Sequence, residues 1–383
     1  MPLIDLDRDR QEKAREYARI KRRLMLVELG MGGVYTLVWI LFGLSERLKT
    51  VLVGFFTNEW LLVAGFAFVF GGVYYLLSLP LSFYLSFSLP HRYEISTQTL
   101  NGWISDQIKG LLVVGVLGGF VLEAVYALLR WAPETWWLWA ASLLLLFDVV
   151  LANLAPIFLM PLFYKFELLS DSRGDLVERL IQMADQTGTK VRGVYKFDMS
   201  RRTKAANAAL TGLGNTRRIL LGDTLLAEFS DDEIETVLAH ELGHHVHKDI
   251  PIGIVVQGVL TLGGFYFASF IMRWGVTLLG FDGPGDAAGM PLFMLVMGLY
   301  GLMTMPIGNA YSRWRERLAD KYALEVIQMG NAYASALVRL ANQNLADADP
   351  EPWVEMLLYS HPALSKRIAM ARGSEAVIDG GIE

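Results

Sequence analysis

Three residues in the second half of the chain, His240, Glu241 and His244, have the types and the spacing of a metal-dependent hydrolytic site. Two histidines four positions apart on a helix share one face, so both imidazoles can bind one ion. Glu241 follows the first histidine, where its carboxylate can serve as a general base toward water at that ion. A polar helix surface with clustered histidines is the alternative interpretation. The capping-box sequence that begins at Ser230 and the small Gly243 favour a metal site.

A catalytic zinc ion needs a third protein ligand as well as an open coordination position. The chain has no cysteine, so this ligand has to be a histidine or a carboxylate. One class of zinc protease uses a histidine six residues after the second, but Ile250 occupies that position here. Glu316 is the best candidate, and Asp320, one helical turn later, could orient a ligand histidine. The alternative is that both acids lie on an exposed helix face, paired with the neighbouring arginines.

Three further histidines are less informative from spacing alone. His245 points away from the expected ligand face and His247 lies one turn too far along the helix, so we expect neither to bind the ion. His361 precedes a proline, where a lone histidine is usually structural or exposed. A zinc protease also needs a donor for the oxyanion that forms on the attacked carbonyl. His361 and Arg367 are candidates for that role, and their local spacing leaves both interpretations open.

The composition of the whole chain is that of a membrane protein. Of its 383 residues 53% are hydrophobic and 19% charged, whereas soluble domains average about 45–50% apolar and about 25% charged residues. The excess is concentrated in runs long enough to cross a bilayer as helices of about 20 residues. The six runs lie near residues 24–44, 60–84, 111–129, 135–158, 250–272 and 291–310. We therefore expect a mainly α-helical polytopic membrane protein, and the net charge of −5 gives no support for nucleic-acid binding.

The distribution of basic residues predicts the orientation of these spans. Lysine and arginine are abundant in residues 8–23, and the loops expected on the opposite side are poor in both. Basic flanks stay in the cytoplasm, so we expect the N-terminus, the C-terminus and the site on that side of the plasma membrane, which is the inner membrane in a bacterium. The last two spans lie between the polar segments 159–249 and 313–383. Because two crossings return the chain to the same side, both segments lie on one side of the membrane and can form one site.

The expected domain organisation follows the spans. We expect four spans within residues 1–158, a mixed α/β segment with the HExxH helix at 159–249, two spans within 250–312, and the remaining peptidase part with the third zinc ligand at 313–383. Within the α/β segment, helical periodicity covers residues 176–186. Patterns typical of strands cover residues 193–199, 205–211 and 218–221.

Several motifs together resemble the integral-membrane zinc metallopeptidases related to type I CAAX prenyl protease, peptidase family M48. The segments HELGHH, SRWRERLAD and HPALSKRI follow one another in the order typical of that family. Residues 155–169 are similar to its segment after a transmembrane helix, and residues 79–110 to its N-terminal signature, which ends in D-x-x-K. The resemblance extends from about residue 60 to about residue 370.

The resemblance implies a fold, a cofactor and a set of roles. The expected fold is a ring of six or seven membrane helices around a chamber, with a gluzincin-like α/β metalloprotease domain that faces it. One catalytic Zn²⁺ ion would be bound by His240, His244 and Glu316, with Glu241 as the catalytic base. Asp320 matches a position often assigned as proton donor.

The resemblance also implies how a peptide binds. Asn207 and Ala208 match an edge strand that would pair with an extended peptide, and His361 and Arg367 match positions near the scissile carbonyl. The partners would be a peptide or protein substrate, prenylated or membrane-embedded, and the lipid bilayer. The segments HRYEIST and SRRTKAANAA depart from the family pattern, which leaves specificity for farnesylated peptides open.

The expected function is thus a zinc-dependent membrane endopeptidase similar to CAAX prenyl protease. A metalloprotease for general membrane-protein quality control, without prenyl-peptide specificity, is the alternative. An intramembrane-cleaving protease would need its HExxH within a span, whereas here the motif lies in a charged helix before one. A transporter or scaffold with an inert metal site would have no need of Glu241, and the chain lacks the paired, similar halves of many transporters.

Overall fold

The fold is that of a mainly helical membrane protein. We analysed a computed structural model, which describes residues 5–169, 173–212 and 216–379. Within these ranges six helical rods are long and apolar enough to cross a membrane, which confirms the six expected runs. The rods are Arg8–Leu41, Glu59–Arg92, Leu100–Trp131, Trp136–Phe163, Asp249–Leu279 and Ala287–Ile327.

The first rod is a single helix, and each of the next three consists of two helices joined by a π-helical turn. The helices in this half are α1 (Arg8–Leu41), α2 (Leu44–Val53), α3 (Glu59–Phe83), α4 (Leu89–Arg92), α5 (Leu100–Val113), α6 (Gly119–Trp131), α7 (Trp136–Leu154) and α8 (Met160–Phe163). The π turns are Tyr84–Ser88, Val114–Gly118 and Ala155–Leu159. Such turns release backbone carbonyls from the helical ladder, which makes them available to side chains.

Aromatic and small residues pack the membrane helices together. Phe66, Tyr126 and Trp136 are fully buried, and the ring of Trp39 meets that of Phe70 edge-on at 5.3 Å between centroids. The outer faces carry exposed apolar side chains such as Phe68, which is 82% exposed. An apolar face of this kind is expected where lipid replaces water as the solvent.

The first part of the polar segment between the fourth and fifth rods forms a small mixed sheet with one helix, as expected. Its elements are β1 (Phe166–Leu168), α9 (Gly174–Gln186), β2 (Val194–Phe197), β3 (Ala208–Thr211) and β4 (Arg218–Gly222). The strand order is β1-β2-β4-β3, with β2 and β4 parallel and the other neighbours antiparallel. β3 therefore lies at an edge of the sheet, and it begins three residues later than residue 205, where the sequence pattern places it.

The remaining helices carry the HExxH motif and connect it to the last two rods. They are α10 (Asp223–Glu228), α11 (Asp231–Val246), α12 (Asp249–Leu279), α13 (Met290–Ile327), α14 (Gly330–Gln343), α15 (Pro352–Leu358) and α16 (Leu364–Asp379). The predicted capping box begins α11, because the Ser230 side chain accepts from the Glu233 backbone N–H and the Glu233 carboxylate accepts from that of Ser230. α13 forms most of the last rod and continues without a break beyond its apolar run, over about 57 Å at 1.5 Å per residue.

The N-terminal turns of α1 contact the C-terminal part of the chain. Arg10 donates to the carbonyl of Asn342 at 2.7 Å, and Arg22 pairs with Glu351 at 3.2 Å. The Gln11 side chain accepts from the backbone N–H of Ala348 at 3.1 Å. These contacts place the start of the chain on the same side as the peptidase part, as the even number of spans requires.

Gly243 permits the close approach of α11 to α13. A Cβ atom at this position would lie 2.9 Å from Cα and 3.0 Å from the carbonyl oxygen of Ala319, which are backbone contacts that cannot yield by rotation. Because Ala319 lies between Glu316 and Asp320 on α13, this contact sets how near both acids come to the histidines of α11.

We expect Gly243→Ala to lower the free energy of unfolding by about 1–3 kcal/mol, because α11 and α13 must move apart to admit the methyl group. The measurement is the thermal unfolding midpoint of the detergent-purified protein. Gly253→Ala is the matched control, since a Cβ atom at Gly253 on α12 meets no atom within 4 Å. Equal midpoints for the two variants would contradict this account of the packing.

Candidate metal centre

The structure brings the three predicted ligands together. Nε2 of His240 and Nε2 of His244 lie 3.2 Å apart. Each of these nitrogens also lies 3.4 Å from a carboxylate oxygen of Glu316, which comes from α13. The three ligand atoms lie within 4.8 Å of one another. Glu316 is 6% exposed, so the alternative of an exposed acidic face is wrong.

The chemistry of these atoms fits a divalent cation. Oε2 of Glu316 is buried and makes no hydrogen bond, and the nearest guanidinium nitrogen, Nη1 of Arg367, lies 3.8 Å away. A bound cation would compensate for the cost of burying this oxygen. Burial alone would lower the pKa of His244, but Glu316 and Asp249 raise it to about 9. Positive charge is therefore favoured between these groups. Two imidazoles and one carboxylate, with a further coordination position open, form a donor set typical of catalytic zinc.

A carboxylate supports the far side of each ligand histidine. Asp320, as predicted, lies 2.9 Å from Nδ1 of His240. Asp249, which the sequence analysis did not identify, lies 2.7 Å from Nδ1 of His244. A carboxylate that accepts from Nδ1–H fixes the ring and leaves Nε2 free to bind a metal ion. The only sequence signal for Asp249 is an acid at the entrance to a span.

Two buried arginines hold these carboxylates in turn. Arg367 donates to both oxygens of Asp320, at 2.8 Å from Nε and 2.6 Å from Nη2. Arg315 donates from Nε to Asp249 at 2.7 Å. Nη1 of Arg367 lies 3.8 Å from Oε2 of Glu316, so this predicted residue does reach the cluster. Its two other donor groups are directed at Asp320, away from the expected position of a substrate carbonyl.

Tyr333 completes the network and has no clear sequence signal. Its hydroxyl donates to Asp320 at 2.5 Å and accepts from Arg367 at 3.0 Å. Burial raises the pKa of Tyr333 well above its usual value, so the hydroxyl keeps its proton and remains a donor. In the sequence it is one of the residues on the buried face of an amphipathic helix, α14, and nothing marks it as different from the core residues.

The general-base candidate Glu241 and the histidines His245 and His247 lie at the C-terminal end of α11. Glu241 is half-buried on α11, and its charge is one of those that raise the pKa of His244. Nδ1 of His247 donates to the carbonyl of Gly243 at 2.7 Å. The metal-ligand cluster found among the described residues consists of His240, His244 and Glu316 and includes neither His245 nor His247.

His361 lies at the open side of the cluster. Its Nε2 is 3.2 Å from Oε1 of Glu316, and its side chain is 59% exposed. Together with Asn207 and Arg367 it lines a cavity of about 840 Å³, which the N-terminal helix α1 closes on the opposite side. Ala208, the residue after Asn207, begins the edge strand β3.

A second cavity reaches the first from within the membrane. It has a volume of about 650 Å³ and lies among α1, α3, α6 and α13. Most of its lining residues are apolar or glycine, and it shares Met25 and Glu28 with the cavity at the metal centre. The membrane helices thus surround an apolar space that adjoins the polar site.

Comparisons with known proteins agree with this description. A family described as CAAX prenyl protease N-terminal, five membrane helices, matches residues 4–165, and peptidase family M48 matches residues 133–375. An uncharacterized metalloprotease of Bacillus subtilis, YhfN, is 29% identical over 94% of this chain and 85% of its own length. CAAX prenyl protease 1 of Saccharomyces cerevisiae is 30% identical over 76% of this chain and 68% of its own length. The crystal structure of S. mikatae Ste24p superposes with a TM-score of 0.85 at 26% identity, covering 96% of this chain and 90% of that one.

We expect Asp249→Asn to weaken metal binding by about 10–100-fold, because the amide holds His244 less firmly and makes it a weaker donor. The measurement is the metal content of the purified protein after titration with a chelator. Asp232→Asn is the control, since Asp232 lies on the same helix as His244 but pairs with Arg179 at the surface. Equal chelator resistance of Asp249→Asn and the unmodified protein would exclude a role for Asp249 in metal binding.

Proposed function

The chain belongs to peptidase family M48, and on that premise we propose that it is a zinc-dependent endopeptidase of the CAAX prenyl protease type. It is an integral membrane metalloprotease with a peptide or protein substrate. The observation that carries the proposal is the buried cluster of His240, His244 and Glu316. Next to it, His361 and Arg367 contact Glu316 and line a large cavity.

The proposed chemistry assigns one task to each residue. His240, His244 and Glu316 would hold a Zn²⁺ ion, which would supply a Lewis acid for the scissile carbonyl and lower the pKa of water. Glu241 takes the proton of the attacking water and passes it to the leaving amine. Asp320 holds the His240 ring through Nδ1, and His361 donates to the oxyanion as the carbonyl becomes tetrahedral. Arg367 supports this site mainly through Asp320.

The proposed substrate position is the free edge of β3. An extended peptide that pairs with this edge next to Asn207 and Ala208 would run along the cavity that His361 lines. The adjoining apolar cavity then receives whatever apolar group the peptide carries, a prenyl chain or a membrane segment. This adjacency supports a substrate that carries an apolar group next to the cleaved peptide, and general quality control is the second candidate function.

The proposed location of the site is the cytoplasmic face of the plasma membrane. Basic side chains of α1 just before its apolar run, Arg19, Lys21, Arg22 and Arg23, would lie there. The N-terminal turns of α1 contact the peptidase part, so both would be on that side together.

Glu241→Gln tests the mechanism. We expect it to keep its metal and to lose cleavage by about 10²–10⁴-fold, the usual contribution of a general base. Metal content is measured by elemental analysis and cleavage with a quenched fluorescent peptide. The control is Glu235→Gln, which changes a glutamate on the same helix that pairs with Arg179. Cleavage by Glu241→Gln at the unmodified rate would show that another group is the base.

A comparison of three substrates separates the two candidate functions. The substrates are a farnesylated CAAX peptide, the same peptide without the farnesyl group, and an unfolded membrane protein. We expect kcat/KM for the farnesylated peptide to exceed that for the bare peptide by at least about tenfold, because the apolar cavity binds only the former. Equal values for the two peptides, with cleavage of the unfolded protein, would favour quality control.

A further inference from the structure

Two residues of the N-terminal signature, Asp106 and Lys109, have no part in the mechanism above, although both reach across the molecule. Asp106 on α5 accepts two hydrogen bonds from Arg202, at 2.7 Å from Nε and 2.7 Å from Nη2. Their side chains are 18% and 14% exposed, and the guanidinium also lies over the ring of Tyr164. A two-pronged, largely buried pair of this kind fixes orientation as well as distance.

The backbone around Arg202 is joined to the same membrane segment. The Arg202 carbonyl accepts from the backbone N–H of Thr97 at 3.1 Å, and the N–H of Lys204 donates to the carbonyl of Ile95 at 2.8 Å. An isolated β-bridge pairs Ser96 with Thr203 between these two bonds. The turn between the second and third rods thus forms a short sheet-like contact with residues 202–204.

The turn itself is firmly attached to the membrane helices. The ring nitrogens of His91 lie 2.6 Å from the carbonyl of Phe87, in the π turn of the second rod, and 2.9 Å from that of Gln98. The Gln98 side chain donates to Asp106 at 2.7 Å. Lys109, one turn after Asp106, donates to the carbonyl of Leu162 at the end of the fourth rod.

Residues 202–204 lead directly into the substrate strand. Both backbone groups of Ala206 are bound by the Asn344 side chain, at 2.8 Å to its N–H and 3.1 Å to its carbonyl. The next residue, Asn207, accepts from Gly222 on β4 through its carbonyl. The start of β3 is therefore held between the membrane turn on one side and α14 and β4 on the other.

We propose that Asp106 is a positioning residue for the substrate, which through Arg202 sets the place of Asn207 and Ala208 relative to the metal centre. The inference rests on the proposed function, because it takes the β3 edge as the peptide site. The metal ligands lie on α11 and α13 and their supporting acids on α12 and α13, so the described contacts of Asp106 do not reach them. Loss of the pair should therefore weaken peptide binding and leave the metal centre intact.

The experiment compares Asp106→Asn with the unmodified membrane protein in detergent. With a farnesylated fluorescent peptide we expect KM to rise about tenfold and kcat to change less than about twofold, since a charge-assisted pair is lost away from the reacting atoms. Arg202→Lys keeps the charge without the two-pronged geometry and should raise KM less. The double variant Asp106→Arg/Arg202→Asp should recover part of the loss.

A second readout does not depend on turnover. Hydrogen–deuterium exchange of residues 205–211 should accelerate in Asp106→Asn, whereas exchange within α11 should stay unchanged. Glu167→Gln is the matched control, since Glu167 pairs with Lys196 at the exposed opposite edge of the same sheet. Unchanged exchange at 205–211 in Asp106→Asn would overturn the positioning role, whether or not the farnesylated peptide is cleaved. If the unmodified protein does not cleave this peptide, only the proposed function is contradicted. An unchanged KM in Asp106→Asn, or the same rise in Glu167→Gln, would also overturn it.

Discussion

The metal centre depends on the balance of charge within a small buried volume. Three acids surround the histidines, Glu316, Asp320 and Asp249, and two of them are each held by an arginine, Arg367 or Arg315. The third negative charge is that of Glu316, whose Oε2 makes no hydrogen bond. A half-buried glutamate at position 241 adds another, so a divalent cation would neutralise the group. Buried charges of one sign are stable only when they are paired in this way.

The fold and the site could be predicted from the sequence where the interacting residues are close together along the chain. Apolar runs and the i, i+4 histidines are local patterns, and both predicted the structure correctly. The carboxylate at 316 was found because an acid pair one turn apart is also local. Asp249 and Tyr333 were missed because their partners lie on other helices. Arg315 was taken for a surface residue because its burial depends on the packing of helices that are distant in the sequence. The role of Asn207 in substrate binding was predicted only from the resemblance to the family.

The arrangement explains why polar chemistry lies at the entrance to a span. The ligand helix α11 ends at the membrane surface and the next helix begins with Asp249, so the acid that supports His244 is also the first residue of a membrane rod. The apolar cavity within the helices meets the polar cavity at Glu28 and Met25. One substrate could therefore contact the lipid-like and the catalytic regions together, without leaving the protein.

The long helix α13 has a consequence for biogenesis. Glu316 lies on α13, the helix of the sixth rod, whereas His240 and His244 lie on α11, before the fifth rod. Two membrane-spanning rods therefore separate the histidines from Glu316 along the chain. The two histidines and Glu316 meet only when the rods α12 and α13 lie side by side as a hairpin. Completion of the ligand cluster is therefore coupled to the assembly of two membrane helices.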